Sequence, residues 1–202
     1  MSKIVPRPVV PLLLAIIVAC LPAVVIGRPT LSPSERTRLE AGDVILLDVL
    51  PPGGDAGRSQ GGTALAVVNA PPAAVWQVLI DWQRHSGLFP RVVGAEVLEA
   101  DGPHTLVRYT VGVGPFSFGF HVDNYAYSDQ RRLTWRLATD RQNALFRDSW
   151  GYWQLERAPR GTLLTYAMAA RTMLPRFLTR GAERDGLVET VTAVRERAEH
   201  PS

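Results

Sequence analysis

From residue 92 to residue 171 apolar and polar side chains alternate, and turn-forming groups interrupt the alternation at short intervals. The alternating runs are 92–99, 105–113, 116–127, 131–139, 146–157 and 161–171. Asp101-Gly102-Pro103, Gly114-Pro115, Ser128-Asp129, residues 140–143 and Pro159-Arg160-Gly161 separate them. A period of two between turn signals predicts β-strands, and connections this short predict antiparallel hairpins. Each run has one apolar face. Val107, Tyr109 and Val111 share one, and Phe116, Phe118, Phe120 and Val122 share the next. Leu133, Trp135 and Leu137, then Trp153 with Leu155, and Tyr166 with Met168, continue the series.

Outside this block the spacing changes. Ser32-Pro33-Ser34-Glu35 has the form of a capping box with proline at the first helical position, and Gly42 supplies a stop. Residues 43–50 and 63–68 read as two strands able to form an edge hairpin, joined by the Gly- and Pro-rich stretch 51–62, a flexible loop. Pro71 and Pro72 open a helix in which Val75, Trp76, Leu79 and Ile80 make one apolar face. Asp81 stands where a second short helix begins and has the side chain of an N-cap. The last helix is expected over 175–198, with Leu187, Val191, Val194 and Ala198 on one face. A curved antiparallel sheet needs a cover for its apolar face, and only this last helix is long enough. The expected fold class is therefore α+β, a sheet gripping a long C-terminal helix, with two short helices after the first core strand.

Composition adds a compartment. The chain has 202 residues and a net charge of +3, but Lys3 and Arg7 precede any acidic residue, and Lys3 is the only lysine. Without residues 1–27 there are 20 basic and 19 acidic side chains. So neutral a body argues against nucleic acid as a partner, which requires a basic surface. The opening stretch, a basic start followed by an apolar run from Val9 to Ile26, has the pattern of a secretory leader. Three fates stay open: cleavage after Gly27, lipidation at Cys20, or retention as an anchor. Each places the body outside the cytoplasm, in the periplasm or anchored facing it. Cys20 is the only cysteine, so the body has neither disulfide nor thiol chemistry. The expected division is a signal peptide or anchor at 1–27, an N-terminal extension at 28–61, a ligand-binding domain at 62–198 and a tail at 199–202.

Candidate chemistry is sparse. His85, His104, His121 and His200 lack metal-ligand spacing, so no metal is expected, and no cofactor motif occurs. Asp81 and His85, four apart, could form an acid–base pair, but capping and a surface histidine explain both positions. "GVGPFSFGF" is a bend between strands and not a phosphate cradle, since neither a lysine nor a helix follows.

The stretch "VVNAPPAAVWQVLIDWQRHSGLFPRVVGAEVLE", with its proline-started helix, Asp81 at the junction and Phe89-Pro90 before a strand, resembles the START-like (SRPBCC) superfamily. It is most similar to the polyketide cyclase/dehydrase and coenzyme Q-binding branch. "GYWQLERAPRGTLLTYAM" and "MLPRFL" continue the resemblance, which covers about 62–198. It implies a helix-grip fold around a cavity for a lipid, a quinone or a polyketide-like molecule. The lining it implies is Trp76, Trp82, Phe89, Val107, Tyr109, Phe116, Phe118, Phe120, Trp135, Trp153, Tyr166, Met168 and Leu187. Trp76 is expected to face the sheet, with Trp82, Leu88 and Phe89 around the mouth. A hydrophobic small molecule or lipid is the expected partner, with a membrane surface as a further contact. No convergent catalytic set is visible. A cyclase or hydratase using Tyr109, Tyr166 or the Asp81/His85 pair, and a non-catalytic envelope interaction module with a filled core, are the alternatives.

Overall fold

The computed structural model describes residues 29–173 and 182–201. Residues 1–27, read above as a leader, and residues 175–181 of the expected last helix lie outside the described residues. The elements run α1 (Pro33–Ala41), β1 (Ile45–Leu47), β2 (Gln60–Val68), α2 (Pro72–Ile80), β3 (Val92–Asp101), β4 (His104–Val113), β5 (Phe116–Tyr127), β6 (Arg132–Leu137), β7 (Phe146–Ala158), β8 (Gly161–Thr172) and α3 (Ala182–Glu199). Single 3-10 turns occupy Ala56–Arg58 and Trp82–His85.

All eight strands form one antiparallel sheet in the order β1-β2-β8-β7-β6-β5-β4-β3. From β3 to β8 every strand pairs with its sequence neighbour, as short turns require. Among the described residues the sheet's long-range pairing is β2 against β8, with Val68 opposite Thr162 and Gln60 opposite Ala170. The result is the α+β helix-grip architecture. α3 lies across β2 and beside α2. Its buried stripe is Leu187, Val191, Val194 and Ala198, and it meets Val75 and Leu79 of α2 and Ala64, Ala66, Leu164 and Leu155 of the sheet.

α1 starts with the capping box: the Glu35 backbone N–H donates to Ser32 Oγ, and the Glu35 carboxylate accepts from the Ser32 N–H at 2.7 Å. Its Leu39 packs with Ile45 and Leu65 on the convex side of the sheet. The 51–59 loop sits on the same side. Trp150 Nε1–H donates to the Pro51 carbonyl at 3.2 Å, and the indole lies flat on the Gly54 backbone. A Cβ at Gly54 would stand 2.5 Å from that ring, so glycine is what lets the loop close on it. Ala167 and Ala169, opposite Tyr152 and Trp150 in the register, point away from the helix and are fully buried under this convex cover.

Candidate functional site

Between the concave sheet face, α3 and the segment after α2 lies a cavity of about 220 Å³. β5 contributes Phe120, Val122 and Asn124, and β6 contributes Leu133 and Trp135. β7 and β8 contribute Phe146, Ser149, Trp153, Tyr166 and Met168. Tyr109 enters from β4, Thr190 from α3, and Trp82, His85, Phe89, Pro90 and Val92 from the segment between α2 and β3. None of these side chains carries a fixed charge.

Aromatic contacts build the walls. Trp153 stacks on Tyr166 with centroids 4.0 Å apart and faces Phe89 at 6.2 Å. Tyr109 stacks on Phe120 at 5.7 Å, and Phe146 meets Phe120 edge-on at 5.0 Å. Trp135 lies across the backbone of Gly151 in the next strand, where a Cβ would stand 2.6 Å from the indole. That glycine therefore lets the ring lie down on the sheet.

The polar feature is a histidine–tyrosine pair. His85 is buried, held between Trp82 at 5.3 Å and Phe89 at 4.5 Å, and its Nδ1 meets Tyr109 Oη at 2.8 Å. Nε2 is buried without a hydrogen bond among the described residues. Burial pushes the imidazole down to about 4, against the smaller opposing pull of the Val78 and Leu79 carbonyls and of Asp81. Burial raises both cavity phenols, and the nearby Tyr166 raises Tyr109 further. At neutral pH the site holds a neutral imidazole and two neutral phenols.

The structure brings together Trp82, Phe89, Tyr109, Phe120, Trp135, Trp153, Tyr166 and Met168 in one lining. The other five expected positions lie elsewhere. Trp76 packs on the edge of the core and lines a separate surface groove with Pro71, Pro72 and Arg131. Val107 is fully buried in a filled cluster with Tyr109 and Val122, beside the cavity and not on it. Leu187 is core packing, close against Gly62. Phe116 flanks the β4–β5 turn and is 65% exposed, and half-buried Phe118 follows it. Alternation fixes the face of a strand but not how far along it the cover reaches. Leu88 likewise turns away from the mouth, to a groove with Ala74 and Ala198.

Two readings of the segment after α2 are corrected. Asp81 makes no side-chain capping bond; its carboxylate lies 3.4 Å from Arg84 Nε. His85 is no surface residue, because the 3-10 turn rotates it inward onto Tyr109. Nine lining residues were not among the expected thirteen, Asn124, Ser149 and Thr190 being the hydroxyl- or amide-bearing ones. Asn124, at an inward position of the apolar series Phe120, Val122 and Ala126, carried a readable signal, whereas Ser149, between Arg147 and Gly151 on its face, carried none. His104 opens β4 and pairs with Asp123 at 2.9 Å across the strand pair, away from the cavity.

A curved sheet closed by one helix over an aromatic cavity defines a START-like protein. The family model for polyketide cyclase / dehydrase and lipid transport matches residues 68–195, and the chain belongs to that family. No curated protein matches the sequence. Solved structures share the fold at low identity. The ZhuI aromatase/cyclase from Streptomyces sp. R1128 superposes with a TM-score of 0.62 at 19% identity, over 70% of this chain and 94% of that one. A STAR-related lipid transfer protein from Xanthomonas axonopodis gives 0.60 at 16%, over 78% and 99%. A START superfamily protein from Mycobacterium smegmatis gives 0.56 at 18%, over 70% and 95%.

Proposed function

We propose that this protein holds a hydrophobic or amphipathic small molecule, of the lipid, quinone or polyketide-like class, in the cavity under α3 and acts as a carrier. The observation that carries this reading is the lining: aromatic and aliphatic walls around about 220 Å³, with no Asp, Glu, Lys or Arg among the described lining residues. Small-molecule sites are apolar clefts with a few placed polar groups, typically of roughly 300–1,000 Å³. The volume here favours a compact ligand over a long two-chain lipid. Each methylene buried contributes roughly 0.8 kcal/mol, so a modest apolar body binds without a charged anchor.

Trp82, Trp135 and Trp153 line the cavity and report on its contents. Titration with the neutral probe N-phenyl-1-naphthylamine should give saturable, one-to-one changes in tryptophan emission. Linear, unsaturable partitioning would remove the container reading.

The second reading is a cyclase- or hydratase-type enzyme, and the His85–Tyr109 contact favours it. General acid–base groups work best with a pKa near the operating pH. An imidazole pushed down to about 4 and phenols pushed up are poorly matched to neutral conditions, so the carrier reading stands first. We also propose export, on the basic start and apolar run of residues 1–27. Residues 1–40 fused to a reporter active only outside the cytoplasm should give signal, and a silent but well-expressed fusion would rule export out.

A further inference from the structure

Two polar side chains on the sheet floor of the cavity have their protons already committed inside the protein. The Asn124 amide nitrogen donates to the backbone carbonyls of Thr105 at 3.2 Å and Val122 at 3.1 Å. Both partners are acceptors only, so the amide orientation is fixed, and both N–H bonds are used. What Asn124 can offer a ligand is its side-chain oxygen. Ser149 Oγ–H donates to the Ala169 carbonyl at 3.2 Å, which leaves Ser149 with lone pairs alone. Both side chains are buried and both line the cavity, on β5 and β7, with β6 and its Trp135 between the two strands.

From this floor we infer that the ligand is a neutral molecule carrying a hydrogen-bond donor, a hydroxylated aromatic of the phenol class, and not a carboxylate. This rests on the container reading and sharpens it. A ligand donor brought to these acceptors replaces water with a hydrogen bond in an apolar surround. A carboxylate brings two acceptors and a charge. No Lys or Arg lines the cavity among the described residues to meet that charge, and His85 is neutral. Tyr166 and Thr190 hydroxyls turn either way, and the tryptophan N–H groups donate, so a second, accepting oxygen on the ligand is tolerated. The floor itself offers acceptors alone. Ring-on-ring walls make an aromatic body the natural carrier of that hydroxyl.

The test uses three probes with one apolar body: 2-naphthol, 2-methoxynaphthalene and 2-naphthoate, titrated against tryptophan emission at pH 7. The expected result is 2-naphthol tighter than 2-methoxynaphthalene by about tenfold, and 2-naphthoate weakest. In Ser149→Ala the preference for 2-naphthol over 2-methoxynaphthalene should shrink by several-fold. Asn124→Leu should do the same, and because it frees two backbone carbonyls its fold is checked first by circular dichroism. If 2-naphthol and 2-methoxynaphthalene bind equally in the unaltered protein, the donor inference is overturned and the container survives. If the naphthoate binds as tightly as the naphthol, the inference is also overturned. If none of the three binds, the container reading fails with it.

Discussion

At the scale of single residues, His85 is the position where sequence and structure differ most. A histidine four residues after an aspartate, in a proline-bearing segment, reads as exposed. Its burial depends on Trp82, Phe89 and Tyr109, and no local pattern gives the last of these contacts. The burial has a consequence for stability. The folded-state pKa is depressed to about 4, below the ordinary histidine value, so the unfolded chain takes up a proton first as pH falls. Stability from this group is complete above about pH 6.5 and is lost on going down through pH 4. Between pH 7 and pH 5 the loss should be about 2 kcal/mol, read from urea midpoints at the two pH values. In His85→Leu that part of the acid slope should disappear, although the variant starts less stable because Tyr109 loses its partner. An unchanged slope in His85→Leu would show that the imidazole is not held neutral in the fold. Asn124 and Ser149 teach a related lesson. The residue type announces polarity, but only the hydrogen-bond partners say whether a donor or an acceptor is left.

At the scale of elements, most strands are legible because the period of two and the turn residues agree. β5 runs from Phe116 to Tyr127 as the alternation places it, and β3, β4, β7 and β8 differ only by a residue or two at their ends. β1 is shorter than its apolar run, Ile45–Leu47 against 43–50, because pairing with β2 spans only those residues and the chain then turns toward Trp150. Helix ends separate real caps from apparent ones. Ser32 and Asp81 both have capping side chains, yet only Ser32 makes the bonds. Ser32→Ala should therefore cost about 1 kcal/mol, whereas Asp81→Ala should change stability by less than about 0.5 kcal/mol, since its contact to Arg84 is an exposed ion pair. Equilibrium unfolding of the two variants in parallel checks this. Equal losses would mean that Asp81 stabilises the segment in a way the hydrogen bonds do not reveal.

At the scale of the whole molecule, the order of elements was enough to give a sheet closed by one helix, because no other helix could cover it. What could not be read was which inward residues meet packing and which meet space. Val107 and Val122 sit opposite one another on neighbouring strands, share a face and are both buried, yet only Val122 lines the cavity. That division depends on where α3 and the segment after α2 come to rest, which is a tertiary fact with no period in the sequence. It also gives the sharpest test of a container. Val107→Trp puts an indole into a cluster already filled by Tyr109 and Val122 and packed by Trp82 and Trp135. Overpacking there should destabilise by roughly 1–3 kcal/mol. Thr190→Trp puts the same indole on α3 at a half-buried position that faces the cavity. If the space is empty, the ring enters it, thermal stability changes little, and N-phenyl-1-naphthylamine affinity falls by about tenfold or more. Melting temperature and probe affinity measured together on both variants decide the matter. A Thr190→Trp protein that loses as much stability as Val107→Trp would mean that α3 closes on a filled core, and the envelope-module reading would take the place of the carrier; one that binds the probe as well as the unaltered chain would mean that the probe binds outside this cavity.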